Sequence, residues 1–211
     1  MIKILTSDFP EGFPEAFAEV LKTYICKTMK LAFVASEFEE IYEKTDWYCD
    51  YFVKMFAKWG ITFECVKVVD GRMSAKLAQT TIKEADVIWL SGGDTRKQYS
   101  YLNSYGLLPC IRHHKGIIIG MSAGSINMAK TAICTLTCGH NKQEIYEGLG
   151  LVDFSIEPHL DKESISTELL ELSETYQIYG MCDNSAIICK ENKTLYLGDV
   201  FLIDKQKVTQ I

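Results

Sequence analysis

The run Gly116-Ile117-Ile118-Ile119-Gly120-Met121-Ser122-Ala123-Gly124 decides the fold class. Three consecutive isoleucines show no polar alternation, so a strand built from them is apolar on both faces. Strands of that kind belong to parallel sheets covered by helices on both sides. Working outward, Ile2–Leu5, Leu31–Val34, Thr62–Val69 and Val87–Leu90 read as further strands. Phe13–Tyr24, Glu40–Trp59, Ser74–Glu84, Arg96–Asn103 and Leu108–His113 have helical spacing and lie between them. Leu151–Ile156 and Ile178–Met181 are strand-like runs. Ser185–Cys189, Thr194–Leu197 and Val200–Ile203 follow with only short turns, which predicts an antiparallel extension on the sheet edge. The expected class is α/β: a doubly wound, mostly parallel sheet with antiparallel C-terminal edge strands. Residues 1–211 contain no repeat, low-complexity stretch or linker, so one domain is expected.

Composition excludes several function classes. The chain has 22 Lys and Arg against 28 Asp and Glu, a net charge of −6. Its densest basic spot, Arg112-His113-His114-Lys115, is too short for the basic stripe of a nucleic-acid binder. No apolar run reaches the ~20 residues of a membrane helix. The first residues lack the basic and small-residue signals of a secretory leader, and the expected location is the cytoplasm. Eight cysteines without a Cys-x-x-Cys pair read as free thiols in such a chain. Cys134-x-x-x-Cys138-x-His140 matches no common zinc spacing and has no evident fourth ligand, so no metal is expected there.

Gly120-Met121-Ser122-Ala123-Gly124 fits Gly-x-Ser-x-Gly between an apolar strand and a small-residue helix start. That context is the nucleophile elbow, a sharp turn that lifts the serine oxygen above the sheet, where helix amides can stabilise an oxyanion. The plainer alternative is a glycine-rich turn with an N-capping serine. A nucleophilic serine needs a base, and there are four histidines. His113 and His114 lie in a polar run read as surface, and His140 follows the cysteine loop. His159, in Glu157-Pro158-His159-Leu160-Asp161, sits where a strand ends, and Pro158 stiffens the approach to it. Strand C-termini are where open α/β sheets place their sites. Asp153, Asp161 and Asp183 compete as the acid behind the base.

Ser91-Gly92-Gly93-Asp94-Thr95, the Ser122 elbow, Glu157-Pro158-His159 and Met181-Cys182-Asp183-Asn184-Ser185 form an ordered set. The set resembles the aspartyl dipeptidase (dipeptidase E) family of serine peptidases, relatives of cyanophycinase, and the resemblance spans most of the chain. It implies a fold similar to class I glutamine amidotransferase domains, with serine in place of the elbow cysteine. It also implies a triad of Ser122, His159 and Asp183, the last where the family carries Glu or Asp. The Gly-Gly turn of the family supplies oxyanion amides, which implies Gly93 together with Ala123; a glycine there lets the backbone approach a reacting carbonyl. The implied chemistry is acyl transfer to Ser122 with His159 as base, on a small peptide substrate and without a cofactor.

Substrate choice is less defined. The aspartyl dipeptidases carry an acid after the nucleophile helix, whereas Thr135–Asn141 has none, with Glu144 and Glu147 only later. A preference for N-terminal Asp is therefore not asserted, and which peptides are cleaved stays open. Arg96, just past the Gly-Gly turn, is a candidate for gripping a substrate carboxylate, its alternative being an exposed helix residue. Glu157 is a second substrate-binding candidate, and Ser125 a competing hydroxyl inside the helix. Two other functions stay open: an amidotransferase-like hydrolase or acyl transferase, and a non-catalytic relative that binds a small ligand. The aromatics of Glu40–Trp59 suit a core or a dimer face, so the protein is expected to be a monomer or homodimer.

Overall fold

A computed structural model describes residues 1–211. In chain order the elements are β1 (Ile2–Thr6), α1 (Glu15–Tyr24), β2 (Lys30–Val34), α2 (Tyr42–Lys58), β3 (Cys65–Val69), α3 (Ala75–Glu84), β4 (Val87–Leu90), α4 (Thr95–Ser104), α5 (Leu108–Arg112), β5 (Ile117–Met121), α6 (Ala123–Met128), β6 (Thr131–Cys134), β7 (Glu144–Glu147), β8 (Ser155–Pro158), α7 (Thr167–Ser173), β9 (Ile178–Met181), β10 (Ala186–Lys190), β11 (Lys193–Leu197), β12 (Val200–Asp204) and β13 (Lys207–Gln210). The main sheet has the order β11-β10-β1-β5-β4-β2-β3. Its five strands from β1 to β3 run parallel, and β10 and β11 close the edge antiparallel.

The isoleucine run behaves as its pattern requires. Ile118 enters one core layer with Leu5, Ile88 and Leu90. Ile117 and Ile119 enter the opposite layer with Phe33, Val87 and Trp89. Period-two alternation thus feeds two cores at once, and each buried isoleucine contributes about 1.5–3 kcal/mol. Helix starts follow local chemistry: Ser74 caps α3 by accepting the Leu77 amide, and Asp94 caps α4 by accepting the Lys97 amide.

The tail departs from expectation. Only β10 and β11 extend the main sheet; β12 leaves it for a second sheet of order β13-β12-β9-β8. The turn at Gly198-Asp199, between β11 and β12, carries the chain across. The strand expected over Leu151–Ile156 forms two to four residues later, at Ser155–Pro158, and Asp153 precedes it in a bend. Leu151 and Val152 are spent on the main core instead, with Val152 making only an isolated bridge to Ala129. A hairpin of β6 and β7, absent from the sequence reading, carries Cys134. His114 is not at the surface: it is buried, with Nε2 against the Asp86 carbonyl at 3.3 Å, and burial lowers its pKa.

Glu157 is the one buried carboxylate in β8. It is 1% exposed, and both its oxygens take their hydrogen bond from the Thr135 hydroxyl at 2.9 Å. Burial pushes its pKa up to about 8, against the lowering effect of that hydroxyl. The unfolded value is about 4.3, so the folded chain binds the proton more tightly. Stability from this group is full below pH ~4.3 and is lost as pH rises toward 8. We therefore expect Glu157→Gln to match the wild type in urea midpoint at pH 4.5 and to exceed it at pH 8.5. A difference that does not change with pH would contradict a protonated Glu157.

Candidate active site

The site forms where the C-terminal ends of β1, β4, β5, β8 and β9 meet. Ser122 turns the chain from β5 into α6 at φ 49° and ψ −108°. Such a backbone is sparsely populated for a residue other than glycine and stores on the order of 1–3 kcal/mol. The flanking glycines are required by contact. A Cβ on Gly124 would lie 2.2 Å from the Leu90 carbonyl, and one on Gly120 would lie 2.6 Å from Met128 Sδ. Ser125 is fully buried: its hydroxyl bonds the Thr6 and Gly120 carbonyls at 2.8 Å and accepts the Thr6 amide at 2.9 Å. It ties α6 to β1 and β5 and is out of reach as a nucleophile.

Ser122 Oγ lies 2.8 Å from His159 Nε2, and His159 Nδ1 lies 2.8 Å from Asp183 Oδ1. With Nδ1–H donating to the carboxylate, Nε2 is the acceptor for the Ser122 hydroxyl. Strand pairing explains the meeting of two residues far apart in sequence. β8 and β9 are parallel with Pro158 opposite Met181, so His159 and Asp183 emerge from adjacent strand ends. The Leu160 amide then bonds the Met181 carbonyl at 2.9 Å and holds the ends in step. Burial alone would push the Asp183 carboxyl up. The hydrogen bonds from Ser7, His159 and the Asp8 amide outweigh it and hold Asp183 below the usual carboxylate range.

Ser7 is a partner the sequence reading missed. Its hydroxyl donates to Asp183 Oδ1 at 2.8 Å and accepts the His159 amide at 2.9 Å. It follows β1 directly, so the strand-end rule that singled out His159 applied to it equally.

Gly93 sits beside the elbow at φ 133°, where a Cβ would strike Ser36 Oγ at 2.2 Å. Its amide has no carbonyl partner, and the Ala123 amide is the first of α6, with no intrahelical acceptor. The Gly-Gly turn is anchored from below by a buried network. Gln98 Nε2 donates to the Ser91 carbonyl at 2.9 Å; Asn127 Nδ2 donates to Gln98 Oε1 at 3.1 Å and to the Thr95 carbonyl at 3.0 Å. Tyr146 completes it by donating to Asn127 Oδ1 at 2.7 Å. Gln98 and Asn127 are fully buried, and neither was singled out from sequence.

The remaining candidates fall outside the cluster. Asp161 takes the Glu163 amide at 3.1 Å, and Asp153 is exposed before β8. Glu157, read from sequence as substrate-binding, is buried against Thr135 and lines no part of the cavity at Ser122. The reason is the strand end: β8 stops at Pro158 and the chain turns at His159, φ 56°, so the His159 side chain leaves the face on which Glu157 meets Thr135 after β6. Arg96 lies in a neighbouring polar hollow that shares Gly93, where it pairs with Glu144 at 2.8 Å and covers the Tyr146 ring at 4.1 Å. Both His140 ring nitrogens have partners, Thr95 Oγ1 and the Thr135 carbonyl, each at 3.0 Å. No group of three or more His, Cys, Asp or Glu side chains converges as a metal site.

Ser122 and His159 open onto a cavity of about 360 Å³ roofed by α2. One face of α2 buries Cys49, Phe52, Met55 and Phe56 in the core, while Trp47, Tyr48 and Tyr51 face the cavity.

A search of curated protein sequences returns no significant match. The fold is shared with a peptidase from an acI-B1 actinobacterium, at a TM-score of 0.72 and 17% identity, covering 100% of this chain and 93% of that one. It is shared also with a protein of Listeria monocytogenes EGD-e provisionally assigned as peptidase E, at a TM-score of 0.68 and 20% identity, covering 93% and 97%. No helix here is long and apolar enough to cross a membrane. The profile of peptidase family S51 matches residues 12–197, most of the chain, and the protein therefore belongs to this family of serine peptidases, hydrolases of the peptidase E type.

Proposed function

We propose that the protein hydrolyses small peptides through an acyl-enzyme on Ser122. The observation that carries this reading is the unbroken chain of 2.8 Å hydrogen bonds from Ser122 through His159 to Asp183 at a strained elbow. His159 Nε2 takes the hydroxyl proton as Ser122 Oγ attacks the peptide carbonyl. Asp183, held ionised, keeps the ring in its tautomer and stabilises the imidazolium. The Gly93 and Ala123 amides take the oxyanion, each worth about 3 kcal/mol of barrier in such sites. His159 returns the proton to the leaving amine, and then activates the water that releases the acyl group.

The short Ser122–His159 contact supports a catalytic reading over one in which the site only holds a ligand. An oxygen nucleophile supports peptide hydrolysis over glutaminase chemistry on a thiolate. We also infer a cytoplasmic location, which the eight free cysteines support, and a chain that acts as one domain without nucleic acid. We infer a monomer or homodimer, with the α2 aromatics lining the cavity.

Two measurements follow. Products are detected by mass spectrometry over a dipeptide panel that includes Asp-X, Glu-X and Ala-X. Ser122→Ala is expected to lose at least about 10³-fold in rate; cleavage that survives in the variant would exclude Ser122. Ser7→Ala is expected to lower kcat about 10-fold at unchanged KM, since one hydrogen bond to a charged group is removed. Ser7→Thr is expected to restore it. Equal kcat in Ser7→Ala would show that Ser7 only supports the fold.

A further inference from the structure

The cavity beside Ser122 differs in character from the polar hollow beyond Gly93. Its wall on the α2 side is aromatic: Trp47 and Tyr51 stack at 5.2 Å with an interplanar angle of 8°, and Tyr48 stands edge-on to Trp47 at 5.0 Å. Phe33 and Phe52 form the floor, fixed from behind by the Trp89 ring. Trp47 is 59% exposed and Tyr48 38%, so a large apolar surface lies open next to the nucleophile. Exposed aromatic side chains that line a cavity beside a reactive group mark a binding site. The wall is also pre-set. Arg72 bonds Asp46 through two nitrogens, at 2.8 and 2.6 Å, bonds the buried Asp70 as well, and lies over the Tyr42 ring at 5.2 Å. The first turns of α2 are thereby tied to the β3 end of the sheet.

Charge at the mouth is uneven. Glu37 is paired with Lys97 at 2.7 Å, and Asp8 accepts the Phe9 amide at 2.7 Å. Lys44, one turn before Tyr48, forms no ion pair. His159 lines this aromatic cavity and does not line the polar hollow, while Gly93 borders both. A scissile carbonyl whose oxygen sits at Gly93 thus divides its peptide between the two. The amine that receives the proton from His159 departs on the aromatic side.

We propose that this cavity is the subsite for the residue after the scissile bond, that it selects an aromatic side chain there, and that Lys44 takes the free C-terminal carboxylate of that residue. The proposal rests on the acyl-transfer reading for its orientation. A cavity of about 360 Å³ has room for a large side chain, and a C-terminal aromatic residue is the occupant whose ring meets the aromatic wall while its carboxylate meets Lys44. The aromatic wall supplies offset and edge contacts that a glycine or aspartate side chain does not use.

Rates are measured with wild-type protein on Ala-Phe, Ala-Tyr, Ala-Gly and Phe-Ala. Binding of the same four peptides to Ser122→Ala is measured by saturation-transfer NMR. We expect kcat/KM for Ala-Phe and Ala-Tyr to exceed that for Ala-Gly and Phe-Ala by about 10-fold or more. In Trp47→Ala the ratio of Ala-Phe to Ala-Gly is expected to fall toward one. The wild type is expected to discriminate about 10-fold between Ala-Phe and its C-terminal amide, and Lys44→Gln to lose that discrimination. Equal values for Ala-Phe and Ala-Gly, or a preference for Phe-Ala, would overturn the proposal. If the wild type cleaves none of the four while Ser122→Ala binds Ala-Phe over Ala-Gly, the acyl-transfer reading fails and the subsite stands. Absence of both cleavage and selective binding sinks both.

Discussion

Holding Ser122 at φ 49° and ψ −108° costs on the order of 1–3 kcal/mol, and the elements on either side of it supply the restraint. β5 lies in the middle of the main sheet, paired on both edges, so it cannot shift to relieve the turn. The Ser122 amide is itself bonded to the Thr6 carbonyl at 2.9 Å. α6 follows at once, and Gly120 and Gly124 let it press against β5 and β4 at distances no side chain would allow. Ser125 then clamps the helix to two strands from inside. Release of the turn would break several buried hydrogen bonds, each costing about 1–3 kcal/mol to leave unmade, and together they outweigh the strain.

The rest of the site is arranged around that fixed point by strand ends. The second sheet brings His159 and Asp183 out of a parallel pair, and Ser7 joins them to the end of β1 through one hydroxyl. The Gly-Gly turn is set from the opposite side by Asn127, Gln98 and Tyr146. Every polar atom named in that network has a partner, which is the condition under which buried polar groups rigidify a site rather than weaken it. In the proposed roles, the Gly93 and Ala123 amides and the Ser122 hydroxyl are in position before substrate arrives, and an oxyanion would be met without reorganisation.

How much of this was legible in the sequence depends on range. The elbow is local: an apolar run, two glycines and a serine fold as strand, turn and helix from neighbouring residues alone, and α3 and α4 begin at their Ser and Asp caps for the same reason. Pairing between Pro158 and Met181 leaves no local trace, so Asp153, Asp161 and Asp183 were separable only by resemblance to a family. The departure of β12 into a second sheet is hidden likewise, because Gly198-Asp199 reads as an ordinary hairpin turn. The aromatics of Glu40–Trp59 were read as suiting a core or a dimer face, because helical spacing does not tell a face that meets solvent from one that meets a cavity. Glu157 was read as a site residue because proximity in sequence hides the turn at His159, φ 56°, that parts the two side chains.

The central claim is that Ser122 becomes acylated with His159 and Asp183 behind it. A peptide-derived aryl phosphonate, which reacts only with an activated serine, tests this most directly when the labelled protein is digested and sequenced by mass spectrometry. The account predicts one adduct, on Ser122, with labelling slowed by orders of magnitude in His159→Ala. An adduct on another residue, or labelling of Ser122 at an unchanged rate without His159, would contradict it.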